Sequence, residues 1–173
     1  MTKDIYSSHQ PSTMPTIDCF VDADFAGTWT KDTSNIASSA HSRTGYTITF
    51  ANCLILWSSK LQSEIALSPM EAEYISLSQA LRDVIPLQAM MQELNTIFKY
   101  SIATHSTVFE DKGCVDLIAA PTMRPRTRHI KHVRKGHIRI QCISKDKQLA
   151  DLVFTKPLPA PKFILLRKQL LGW

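Results

Sequence analysis

Apolar and polar positions change rhythm several times along this chain. Ile17 to Asp22 is a short apolar run ending in acids, Gly45 to Ala51 alternates Tyr, Ile and Phe with Thr, and Cys53 to Trp57 is apolar throughout. Runs of this length and period predict three strands, the second and third joined by a tight turn at Ala51 and Asn52. Ser68 to Glu71 is a capping-box pattern with Pro69 at the first helical position, and Tyr74, Ile75, Leu77, Leu81 and Val84 follow at helical spacing. Pro86 is expected to break or bend that helix, with a second helical segment from Leu87 to Phe98. Further along, Thr107 to Glu110 reads as a fourth strand, Cys114 to Ala120 as a short helix closed by Pro121, and His137 to Ile143 as a fifth strand. A helix from Lys145 to Phe154 and a terminal amphipathic helix ending near Trp173 complete the series. The order predicts an α/β domain with a five-stranded mixed sheet, three antiparallel then two parallel strands, and flanking helices.

The 173 residues, 44% of them hydrophobic, suit one globular domain with a sizeable core. Residues 1–16 are polar, with Pro11 and Pro15, and read as a tail or linker remnant. The domain is expected over 17–158, with 159–173 as a C-terminal helix. No apolar run approaches the roughly 20 residues of a membrane span, and the first residues lack the apolar core of a signal peptide. The expectation is a soluble, intracellular protein with no membrane partner. Cys19, Cys53, Cys114 and Cys142 are widely spaced, three of them in apolar stretches, and read as buried thiols rather than a disulfide framework. His129 and His132 lack nearby Cys or His partners, which argues against zinc.

Charge sharpens the picture more than composition does. The net charge is +5, yet no Asp or Glu occurs between Leu117 and Lys145. Arg124, Arg126, Arg128, His129, Lys131, Arg134 and Lys135 crowd that stretch, and Arg139 follows. Such a segment is either a solvated basic loop or a surface that meets phosphates.

Four acids fall at element ends: Asp22, Glu71, Asp111 and Asp151. With the fourth strand beside the first, three or four of them would converge at one edge of the sheet. Clustered carboxylates repel one another unless a hard cation neutralises them, so a shared site would suit Mg²⁺ or Mn²⁺. Each acid has a plainer reading as well: Glu71 as part of its capping box, Asp111 as a turn or N-cap residue, Asp151 as an exposed helical acid. Asp22 and Asp24 share one strand face, so either can be the ligand. Asp146 is the rival of Asp151.

The runs Val21 to Gly27, Ser42 to Tyr46, Trp57 to Gln62 and Ile65 to Ile75 are followed, in order, by Glu110 with Asp111, Arg126 to Ile130, Gln148 to Asp151 and Thr155 to Leu158. As an ordered set these resemble the ribonuclease H domain of copia-type long-terminal-repeat retrotransposon polyproteins. The resemblance implies a ribonuclease H-like fold and metal-dependent hydrolysis of the RNA strand of RNA–DNA hybrids during reverse transcription. Asp22, Glu71, Asp111 and Asp151 would then hold two Mg²⁺ ions, with Mn²⁺ as a substitute, and Asp24 would support the site. No small-molecule cofactor is implied. It further implies nucleic-acid contacts by the basic segment, a reverse transcriptase domain upstream, and residence in the cytoplasm or in retrotransposon particles.

Three departures from the family pattern stand out. Lys131 to Gly136 reads as a deletion of about ten residues; Lys112 and Gly113 replace a polar pair; and Leu152 to Phe154 carries one extra residue. The alternative function is therefore a degenerate fragment that at most binds nucleic acid. A transposase or integrase on the same fold would also use acids, but the Trp57 to Gln62 and Thr155 to Leu158 runs argue against it.

Overall fold

The computed structural model describes residues 16–99, 106–110, 135–153 and 158–172. Among them, five strands form one sheet in the order β3-β2-β1-β4-β5. The strands are β1 (Ile17–Asp24), β2 (Arg43–Phe50), β3 (Cys53–Leu61), β4 (Ser106–Glu110) and β5 (Ile138–Cys142). β1 with β2 and β2 with β3 pair antiparallel, whereas β1 with β4 and β4 with β5 run parallel. The mixed sheet expected from the sequence is therefore the one observed.

The turn between β2 and β3 is tight because Ala51 (φ 50°) and Asn52 (φ 64°) are both left-handed, the backbone a two-residue hairpin requires. The β2–β3 register shifts between Ile48 and Thr49, a bulge that adds local twist at the sheet edge.

Side-chain alternation in β1 divides the interior between two faces. Ile17, Cys19 and Val21 are buried against α1 (Pro69–Phe98), which contributes Leu77, Ala80, Leu81, Val84 and Met91. Phe20 turns to the opposite face, packing with Leu149, Leu166 and Leu170. There its ring stacks on that of Phe109 at 4.8 Å, its registered partner on β4. Burying a side chain of this size stabilises by about 1.5–3 kcal/mol, so both layers hold the sheet.

Helix α1 begins as its sequence dictates, with Ser68 as N-cap accepting the Glu71 N–H and Pro69 in the first turn. Of the break or bend expected at Pro86, the break does not occur; the helix runs on to Phe98 and ends at left-handed Lys99. Pro86 is exposed, and so is Arg82 four residues back, whose carbonyl loses its helical donor at the proline. Val84 and Gln88, on either side of it, remain buried and keep both halves on the sheet.

The expected helix from Lys145 to Phe154 is also corrected. The chain forms two 3₁₀ turns, Lys145–Lys147 and Leu149–Val153, separated by Gln148 in an extended conformation. That interruption frees the Gln148 side chain to reach β1. Helix α2 (Ala160–Leu171) then lays Leu166 and Leu170, one helical turn apart, on the second face. No helix among the described residues is long and apolar enough to cross a membrane.

The cysteines depart from expectation too. Cys19 is buried, but Cys53 and Cys142 are exposed thiols at strand ends, where an apolar run meets solvent. Cys114, and the short helix expected around it, lie outside the described residues.

Candidate carboxylate site

Asp22 and Asp24 sit at the C-terminal end of β1, opposite Gly45 and Arg43 of β2. The turn leaving β1 distinguishes them. A Cβ added to Gly27 would overlap Asp24 Oδ2, so the Asp24 carboxylate rests directly on the backbone of that turn. The turn itself is held by left-handed Ala26, whose N–H donates to Ser42 Oγ at 3.3 Å, and by the Trp29 N–H to the Ala26 carbonyl at 2.9 Å. Asp24 thus shapes the turn, and Asp22 stands two residues before it on β1.

Glu71 occupies the first turn of α1. Its Oε2 accepts the Leu67 N–H at 2.9 Å while its own N–H donates to Ser68 Oγ at 3.1 Å. The capping role foreseen for it is real, with Leu67 in place of Ser68 as the backbone donor. The helix start is fastened to the sheet by buried Gln62, whose Nε2 donates to the Ala72 carbonyl (2.9 Å), Thr44 Oγ1 (3.2 Å) and Ser76 Oγ (3.2 Å). Ser76 Oγ in turn donates to Thr44 Oγ1 at 3.0 Å. Thr44 pairs with Ala23, between Asp22 and Asp24, so this network brings the start of α1 to the end of β1.

Asp151 arrives by a different tether. Buried Gln148 donates from Nε2 to the Val21 carbonyl at 2.9 Å and accepts the Ala150 N–H on Oε1 at 3.3 Å. The 3₁₀ turn bearing Asp151 is therefore bound to β1 at the residue before Asp22. Leu149 and Leu152 of this turn join the second core, as their spacing suggests. Asp151 is partly buried and its Oδ2 meets Lys162 Nζ of α2 at 2.6 Å. Its rival Asp146 is exposed on the preceding turn.

The elements carrying Asp22, Glu71 and Asp151 are thus tied to one end of the sheet. Among the described residues, no three Asp, Glu, His or Cys side chains form a group that could hold a metal ion. Asp111 lies outside the described residues, directly after the last residue of β4. So do Arg124, Arg126, Arg128, His129, Lys131 and Arg134, whereas Lys135 is exposed at the turn entering β5. The positioning parts that sequence reasoning missed are Gln62, Gln148 and Lys162. For the glutamines the signal was their place at the ends of the runs Trp57 to Gln62 and Gln148 to Asp151, as polar residues beside apolar ones.

Elsewhere on the sheet, burial and then the nearby Asp83 and Asp18 carboxylates push the Cys19 thiol far above its ordinary range. Tyr46 is raised to about 12 by burial and by its hydrogen bond to Asp83, in which the hydroxyl donates to Oδ2 at 2.5 Å. Both groups are neutral near pH 7, and both side chains belong to the core packed beneath α1.

No family model matches the chain. In fold it is similar to the N-terminal RNase H domain of a Mycobacterium tuberculosis protein, solved as a fusion with maltose-binding protein. The TM-score is 0.53 at 13% identity, covering 88% of this chain and 96% of that one. The architecture is therefore that of a ribonuclease H-like domain. In sequence the chain is 33% identical over 166 residues to the retrovirus-related Pol polyprotein from transposon TNT 1-94 of Nicotiana tabacum, covering 91% of this chain and 11% of that protein. It is 29% identical over 152 residues to the corresponding polyprotein from transposon RE2 of Arabidopsis thaliana, covering 83% of this chain and 10% of that one. The chain thus spans about a tenth of the length of these relatives. Fold and sequence together make it a ribonuclease H-like domain of a copia-type retrovirus-related Pol polyprotein.

Proposed function

We infer that this domain hydrolyses the RNA strand of RNA–DNA hybrids, with Mg²⁺, or Mn²⁺ in its place, held by Asp22, Glu71, Asp111 and Asp151. The observation that carries the reading is the Gln148 side chain on the Val21 carbonyl, because it ties the turn of Asp151 to the strand of Asp22. An all-oxygen set of carboxylates fits a hard divalent ion, and no soft ligand stands among these four residues. Ions bound there would polarise a water and stabilise the leaving oxygen of a phosphodiester.

The chain's own residues do the positioning. Gln62 and Ser76 fix the start of α1 and with it Glu71. Asp24, lying on Gly27, sets the turn beyond Asp22. Arg124, Arg126, Arg128, His129, Lys131, Arg134 and Lys135 are assigned to hybrid phosphates, contacts that orient a duplex without reading its sequence. In the parent polyprotein, a reverse transcriptase domain would supply the hybrid inside the cell.

A second reading, binding without turnover, draws on the Lys162–Asp151 ion pair, since an acid already neutralised by its own chain has less need of a metal. Cleavage of a labelled hybrid in Mg²⁺ or Mn²⁺ separates the two. The first reading expects RNA-strand products that vanish in Asp22→Asn; hybrid binding with no products in either ion supports the second.

A further inference from the structure

Lys162 stands where a helix disfavours it. It is in the first turn of α2, which has no acidic residue there, so the partial positive charge of the helix N-terminus repels its ammonium. Packing fixes it in place regardless. Lys162, Leu166 and Leu170 are successive residues four apart on one helical row, and the two leucines are buried against Leu149, Leu152 and Phe20. The row thereby delivers the Lys162 ammonium to Asp151 Oδ2 at 2.6 Å, with the two side chains 26% and 18% exposed. Asp151 offsets both the lysine and the helix end, and the turn that carries it is bound through Gln148 to the strand of Asp22.

We propose that Lys162 is a built-in counter-cation of the carboxylate site: it holds Asp151 when no divalent ion is bound and competes with that ion for the same carboxylate. The inference rests on the metal-site reading above. A divalent ion and an ammonium on one carboxylate repel each other, so ion binding weakens the Lys162 contact and, by reciprocity, the contact weakens ion binding. α2 docking and ion loading are thus linked with opposite sign, and Lys162 is a positioning residue rather than a catalytic one.

The test is Mn²⁺ affinity of the full 173-residue chain without nucleic acid, read by electron paramagnetic resonance of free Mn²⁺, for the parent, Lys162→Met, Lys162→Gln, Lys162→Arg and Asp22→Asn. Removing a partly exposed ion pair's charge is expected to tighten Mn²⁺ binding about three- to fivefold in both Lys162→Met and Lys162→Gln, an effect shrinking in high salt. Lys162→Arg should bind as the parent does. Unchanged or weaker binding in both neutral variants, with Asp22→Asn still losing the ion, overturns the competition while leaving the metal site intact. Absence of Asp22-dependent binding in every variant overturns the metal site, and the competition with it.

Discussion

The side-chain amide of Gln148 donates to the main-chain carbonyl of Val21, 127 positions away in sequence and one residue before Asp22. Gln148 is buried, so replacing it with Leu leaves a buried carbonyl without this donor. Gln148→Leu is expected to lower unfolding free energy by about 1–3 kcal/mol, measured by urea denaturation. It should also reduce hybrid cleavage more than a surface change of equal stability cost. Parent-like stability would show that the 3₁₀ turn is held by its leucines alone.

The close approach of Asp24 to Gly27 gives a second prediction. A methyl group at Gly27 would overlap the carboxylate, so Gly27→Ala must displace Asp24 or the turn. Destabilisation of about 1–3 kcal/mol is expected, the ordinary range for overpacking. Because the clash is with the Asp24 side chain, the same substitution should cost markedly less in an Asp24→Ala background. Equal costs in the two backgrounds would place the strain elsewhere.

A third prediction concerns the β2–β3 turn. Ala51 and Asn52 both hold positive φ, a region that costs Ala more than Asn and Asn more than Gly. Converting the pair to Asn-Gly by Ala51→Asn with Asn52→Gly should raise stability by about 0.5–2 kcal/mol, read as a higher melting temperature. A lower one would mean that the present side chains make compensating contacts.

Alkaline titration supplies the fourth. Tyr46 retains its proton to about 12 in the folded chain because of burial and the Asp83 hydrogen bond, while an unfolded Tyr ionises near pH 10. Folding therefore favours the protonated phenol: its contribution is whole below about pH 10 and is lost as pH rises towards about 12. Stability of the parent should fall over that window more steeply than stability of Tyr46→Phe. Matching slopes would show that Tyr46 does not carry the alkaline loss.

The strands were legible because apolar alternation survives into the structure; β1 sends Ile17, Cys19 and Val21 one way and Phe20 the other. The start of α1 was legible because Ser68, Pro69 and Glu71 act locally. What failed depends on partners distant in sequence. Pro86 is tolerated because buried neighbours on both sides hold the helix, and the Lys145 to Phe154 segment gives up α-helix so that Gln148 can reach Val21. The four acids could be nominated from sequence, but their tethers could not. Nothing in the spacing of Asp22 and Asp24 reveals that Asp24 is occupied by the backbone of Gly27. Lys162 left one trace, a basic residue in a helical first turn that has no acid.

Whether Asp22 and Asp151 serve one metal-dependent nuclease site is tested most directly by the initial rate of RNA-strand cleavage of a hybrid in Mg²⁺, comparing the parent with Asp22→Asn, Asp151→Asn and the double variant. Residues acting as a unit are not additive, so each single change should lower the rate at least about 100-fold and the double change little more. Parent-like cleavage by Asp151→Asn with loss in Asp146→Asn, or full cleavage by Asp22→Asn, would contradict a shared site.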